Sequence, residues 1–104
     1  MGKLITVFWR DIPAQVMAKE RRQTEKVQLS KRFEEAIDMA AMRAGLVGTD
    51  AYLEEWKRSS ENCGDDLKAE AESAAARIEA EYDKDRLVEL VKNSGIDPQN
   101  TSQS

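Results

Sequence analysis

Cys63 is the only thiol in the sequence, and there is no histidine. It stands just before a stretch that reads as the start of a long helix, where the helix dipole favours a thiolate. That is the setting of a reactive cysteine, as in a thiol-dependent redox protein or enzyme subunit. Against it, no histidine serves as base and no second cysteine resolves an oxidised thiol. The plainer reading is a small residue in a polar loop. One sulfur with Asp65 and Asp66 makes a poor zinc set, because structural zinc takes four Cys or His ligands. Asp65-Asp66 with Glu61 lacks the calcium-loop spacing, and a helix cap accounts for the aspartates. No metal and no cofactor is expected.

Trp9-Arg10-Asp11 is the most individual feature of the chain. A forked donor, a carboxylate and an aromatic ring at one end of a sheet could recognise a ligand. The alternative is a turn in which Asp11 bonds local amides and Trp9 joins the core. A second candidate is basic: Lys19, Arg21, Arg22, Lys26, Lys31 and Arg32 surround a loop and a helix start. Nucleic acid or an acidic protein could dock there. Glu20 and Glu25 interleave, the protein is acidic overall and no aromatic platform accompanies the patch, so nucleic acid is not the expected partner.

Composition limits what can position these groups. At 104 residues the chain holds one domain and buries roughly two thirds of its unfolded surface. A single cysteine leaves no internal disulfide and fits a reducing compartment, so a cytoplasmic location is expected. The apolar run at the N-terminus is far shorter than the roughly 18 residues of a membrane span. It lacks a cleavage site, so it does not read as a signal peptide. The net charge of −4 hides an asymmetry. Residues 1–48 carry nine Lys/Arg against six Asp/Glu, and residues 49–104 carry seven against fourteen. Such a layout bears on docking and solubility.

Lys3–Trp9 reads as a strand, and its near-continuous apolar run suits a central place in a sheet. Arg10-Asp11-Ile12-Pro13 reads as a turn or bulge, followed by a second strand over Ala14–Lys19 with Ala14, Val16 and Ala18 on one side. Glu20–Lys26 reads as a charged loop. Ser30–Val47 reads as an amphipathic helix with Phe33, Ile37, Ala40, Ala44 and Val47 on one face, Ser30 as N-cap and Gly45 or Gly48 as the stop. Residues 51–58 fit either a strand or a helix; the need for a third strand favours the strand. Ser59–Gly64 is a polar connection. A helix capped by Asp65 or Asp66 follows, with Leu67, Ala71, Ala74, Ile78 and Tyr82 on its stripe. A further helical segment carries Leu87, Val88, Leu90 and Val91 and stops at Gly95. Residues 96–104 read as a flexible tail.

Three blocks resemble a family of small bacterial proteins, the virulence factor family. They are Ile5-Thr-Val-Phe-Trp-Arg-Asp-Ile-Pro-Ala-Gln-Val16, Arg32-Phe-Glu-Glu-Ala-Ile-Asp-Met-Ala-Ala-Met-Arg-Ala-Gly45 and Thr49-Asp-Ala-Tyr-Leu-Glu-Glu-Trp56. The same domain resembles one end of the larger conserved virulence factor C proteins. The resemblance covers roughly residues 4–58 and leaves 59–104 as an extension particular to the stand-alone proteins. It implies a bacterial intracellular protein acting beside others, and carries over no catalytic residue.

The sequence therefore predicts an α+β domain over residues 1–95. Its core, 1–58, is a small antiparallel β-β-α-β sheet with one helix packed on it, and 59–95 is a C-terminal helical extension. The expected function is a non-enzymatic accessory or protein-interaction module, with binding residues at Trp9, Arg10, Asp11, Arg21 and Arg22. Cys63 is the one candidate catalytic residue. The partner expected is a protein, with no membrane involved.

Overall fold

The computed structural model describes residues 2–97. Strands β1 (Gly2–Trp9), β2 (Ile12–Glu20) and β3 (Gln23–Gln28) form a meander. Helix α1 (Lys31–Ala44) and the short α2 (Asp50–Glu54) lead to β4 (Trp56–Cys63), and α3 (Leu67–Glu81) and α4 (Lys84–Lys92) complete the chain. The sheet is antiparallel in the order β3-β2-β1-β4, so the apolar β1 is central. The fold is α+β with a four-stranded antiparallel sheet, of the class that the sequence predicts.

One face of the sheet is covered by helices. Leu4, Val16 and Ala18 from the strands meet Phe33, Ile37 and Ala40 from α1, and Leu67, Ala71 and Ala74 from α3. Alanine at these helix positions lets the helices lie close to the strands. Met17 has the opposite parity to Val16 and Ala18; it is buried but stands outside this core. Between Val7 and Phe8 the register slips, so β2 carries one extra residue beside Pro13. Proline has no amide hydrogen to give a ladder, and a bulge tolerates it.

Both edges of the sheet differ from the sequence reading. Gln23–Gln28, inside the stretch read as a charged loop and beyond it, is β3, and only Val27 in it is even half-buried. The stretch 51–58, read as a strand, is helical to Glu54 and joins the sheet only from Trp56. Ser59–Cys63, read as a connection, belongs to β4, so the boundary expected at 58 falls inside a strand. Edge strands expose one side and tolerate charged side chains, which removes the alternation that marks a strand. Helix α3 packs on β2 and β3, so α1 is not alone on the sheet.

The helix ends follow local chemistry with one exception. Gly45 closes α1 in the left-handed conformation. Asp66 and Asp83 cap α3 and α4, accepting from the amides of Ala69 and Arg86. Ser30 occupies the N-cap position of α1 but makes no capping bond with its side chain. Its hydroxyl instead donates to Glu79 Oε1 at 2.8 Å, and its amide donates to Glu79 Oε2 at 2.7 Å. A carboxylate from α3 thus sits at the positive end of α1.

After α4 the chain turns back over Trp9. Gly95 has φ +90°, and a Cβ there would stand 2.9 Å from the indole ring and 3.4 Å from the Ala40 Cβ. Ile96 and Asp97, read as the start of the tail, are described and held here; the remainder of that tail, 98–104, lies outside the described residues. Gly95→Ala combines a disfavoured φ with a clash against a fully buried ring, and is expected to lower stability by about 2–3 kcal/mol. Gly48 also has a positive φ, 78°, but faces open space; Gly48→Ala carries the backbone cost without the clash and should cost less than Gly95→Ala, about 1–2 kcal/mol. Urea midpoints of the two variants check the difference.

Candidate functional site

The Trp9-Arg10-Asp11 corner is a junction within the chain. Trp9 is fully buried and its indole nitrogen donates to the Tyr52 carbonyl at 3.0 Å. Arg10 has φ 54°, an uncommon value for a residue with a side chain. Its amide donates to the Glu55 carbonyl, its guanidinium to the Ser94 carbonyl at 2.9 Å, and its Nε lies 3.4 Å from Glu55 Oε2. The guanidinium also stacks over Trp9, 5.2 Å from the ring centroid. The Asp11 amide donates to the Gly95 carbonyl at 2.8 Å. Its carboxylate accepts from the Asp97 amide at 2.6 Å and pairs with Lys57 at 3.3 Å. These bonds join the β1–β2 turn to the end of α2 and to residues 94–97.

That junction fixes α4 against α1. The two helices run side by side in the same direction. Arg32 donates to the Tyr82 carbonyl just before α4, and Arg43 donates to the Lys92 carbonyl at its end. Between them lies an open groove of about 380 Å³, walled by Ala36, Met39, Leu87, Val88 and Val91 and rimmed by Arg32, Glu35, Lys84 and Lys92. Met39 is 48% exposed and Val88 41%. Neither residue was a candidate in the sequence. Val88 lies in the apolar set of α4, whose arc is wider than α1 can cover, and that excess of apolar surface was the available signal.

Of the other candidate residues, Arg32 stands on the rim of the groove and the rest lie apart from it. Arg21 and Arg22 form the exposed turn between β2 and β3, and Arg21 adopts φ 52°. Lys31 and Arg32 open α1, where Arg32 is held by Glu79 at 3.1 Å. The structure does not bring the basic residues into one cluster with the corner.

Cys63 ends β4, opposite Gly2 and close to Leu67 at the start of α3. Its surroundings oppose a thiolate. Partial burial pushes the thiol pKa up, and the carboxylates of Glu70, Glu20 and Glu61 push it further, against a smaller opposite effect of the N-terminus. Glu70 accepts the Gly64 amide nearby, which holds its charge in place. Among the described residues no group of three or more Cys, Asp or Glu is placed to hold a metal ion. None of their helices is long and apolar enough to cross a membrane.

Comparison with known proteins identifies a family. The chain belongs to the virulence factor family, whose model, described as "Virulence factor", matches residues 7–91. The match continues through β4, α3 and most of α4, so these helices are part of the family domain, where the sequence resemblance had stopped near residue 58. No curated protein and no solved structure matches the chain.

The environment of Cys63 gives a pH prediction. Its folded pKa is raised, so the thiol stays protonated to higher pH than an ordinary cysteine near 8.5. The midpoint of its iodoacetamide reactivity against pH should lie above that value, and Glu70→Gln should move it down. The sign for stability follows: the raised pKa leaves stability intact below the unfolded thiol value and removes part of it as pH rises toward the folded one.

Proposed function

We propose that this member of the virulence factor family is a non-enzymatic accessory protein of the cytoplasm, and that its α1–α4 groove receives an amphipathic helix from a protein partner. The observation carrying this reading is the groove itself. Apolar walls lie open to solvent between two helices, with Met39 and Val88 standing out on the surface. Exposed apolar strips with a charged rim suit a docking helix. Methionine adapts its shape to an incoming side chain. With nine residues, α4 is about 13 Å long, which matches a partner helix of two to three turns. Lys84 and Lys92 on the rim favour acidic residues at the flanks of that helix. Trp9, Arg10 and Asp11 enter this reading as the device that holds the groove open at a fixed width.

A photo-crosslinking residue placed at position 88 in cells tests the reading, with position 76 on the exposed side of α3 as control. The expected result is one discrete adduct from position 88, absent from position 76 and lost in Met39→Glu. Its cross-linked peptide should be an amphipathic helical segment of another protein. An adduct of twice the chain's mass, or none from a folded protein, would contradict the proposal.

A further inference from the structure

The face of the sheet away from the helices carries its own pattern. Register fixes which residues share it. Ile5 lies between Met17 and Ser60, Val7 between Gln15 and Arg58, and Lys3 between Lys19 and Asn62; Met17 is followed outward by Lys26. Leu4 and Glu61, one residue over, point instead to the helical side, where Leu4 joins the core and Glu61 faces Arg77 of α3. The face thus has an apolar centre and four surrounding cations, Lys3, Lys19, Lys26 and Arg58. None of its register positions holds a carboxylate. All four cations are exposed, and none is in an ion pair among the described residues. Lys3 and Lys19 lie directly opposite each other. Like charges across a ladder oppose the fold, so this placement is not explained by stability.

We infer that this sheet face is a second docking surface, taking an acidic protein segment whose aliphatic side chains cover the half-buried Ile5 and Val7, beside the buried Met17, and whose carboxylates meet the surrounding cations. Charge complementarity selects the occupant. A ring of cations without internal acids attracts anionic surfaces over a distance comparable to the screening length. The apolar centre demands a partner that is apolar as well as acidic. Single-stranded nucleic acid would need stacking rings, and none stands among these residues. Exposed Arg21 and Arg22, at the adjoining β2–β3 turn, extend the cationic rim. The surface is separate from the α1–α4 groove, so either can fail without the other.

Amide chemical shifts of the isotope-labelled full chain test the inference. The probe is a short synthetic peptide rich in Glu with interspersed Leu, compared with a single-stranded oligothymidine of equal charge. The peptide should shift Ile5, Met17, Lys19 and Lys26 together, with affinity falling as salt rises. Lys19→Glu combined with Lys26→Glu should weaken binding by about tenfold or more. The same pair should leave the peptide-free protein as stable as before or more so, because a carboxylate at position 19 faces Lys3. A stability gain with a binding loss separates a ligand surface from a merely structural one. Shifts confined to other surfaces, no shifts, unchanged affinity in the folded double variant, or tighter binding of the oligothymidine at this face would each overturn the proposal.

Discussion

The contact between the Gly95 backbone and the Trp9 ring is the constraint on which the rest of the molecule depends. Trp9 is fully buried at the end of the central strand. Its indole nitrogen is satisfied by Tyr52, and one side of its ring is met by a residue with no side chain. A buried tryptophan is one of the largest single sources of apolar stabilisation, about 3–5 kcal/mol when truncated. Here it also decides where the chain goes after α4, because only a glycine turn fits at that distance.

Around this contact the polar groups act as a clasp. Asp11 binds the backbone on both sides of Ile96, and Arg10 reaches the Ser94 carbonyl. Arg10 holds a backbone conformation that costs about 1–2 kcal/mol in isolation, and its bonds to Ser94 and Glu55 hold it there. With residues 94–97 fixed, α4 has one place to lie, against α1. Between the two helices Met39 and Val88 stay uncovered. The functional proposal rests on this link between a turn at one end of the sheet and a groove on the helical layer.

Much of this architecture was legible in the sequence wherever a residue answers to its neighbours in the chain. Lys3–Trp9 announced a central strand because both of its edges are paired. Asp65 or Asp66, and Gly45 or Gly48, announced helix ends because capping is a bond within one turn, and the structure uses Asp66 and Gly45, ending α1 at Ala44 short of the expected Val47. The edge strands were not legible: Gln23–Gln28 and Ser59–Cys63 face solvent along one side and read as polar connections. Ser30 misled for a related reason, since the carboxylate that satisfies it comes from Glu79, 49 residues away. The corner stood out by residue type, but its bonds to residues 94–97 are long-range and could not be foreseen. The groove was not visible, because it is made by the relative placement of two helices; of the cationic face, Lys19, Lys26, Arg21 and Arg22 were read as a basic patch, but Lys3, Arg58 and the apolar centre join them only through the strand register.

If the Trp9–Asp11–Gly95 clasp holds α4 in place and so forms the groove, loosening the clasp exposes α4. Amide hydrogen exchange in Asp11→Ala, compared with the native chain, tests it most directly. The expected result is that α4 amides from Leu87 to Lys92 lose protection while the β1–β2 ladder keeps it. Unchanged protection in α4, or an equal loss throughout the chain, would contradict it.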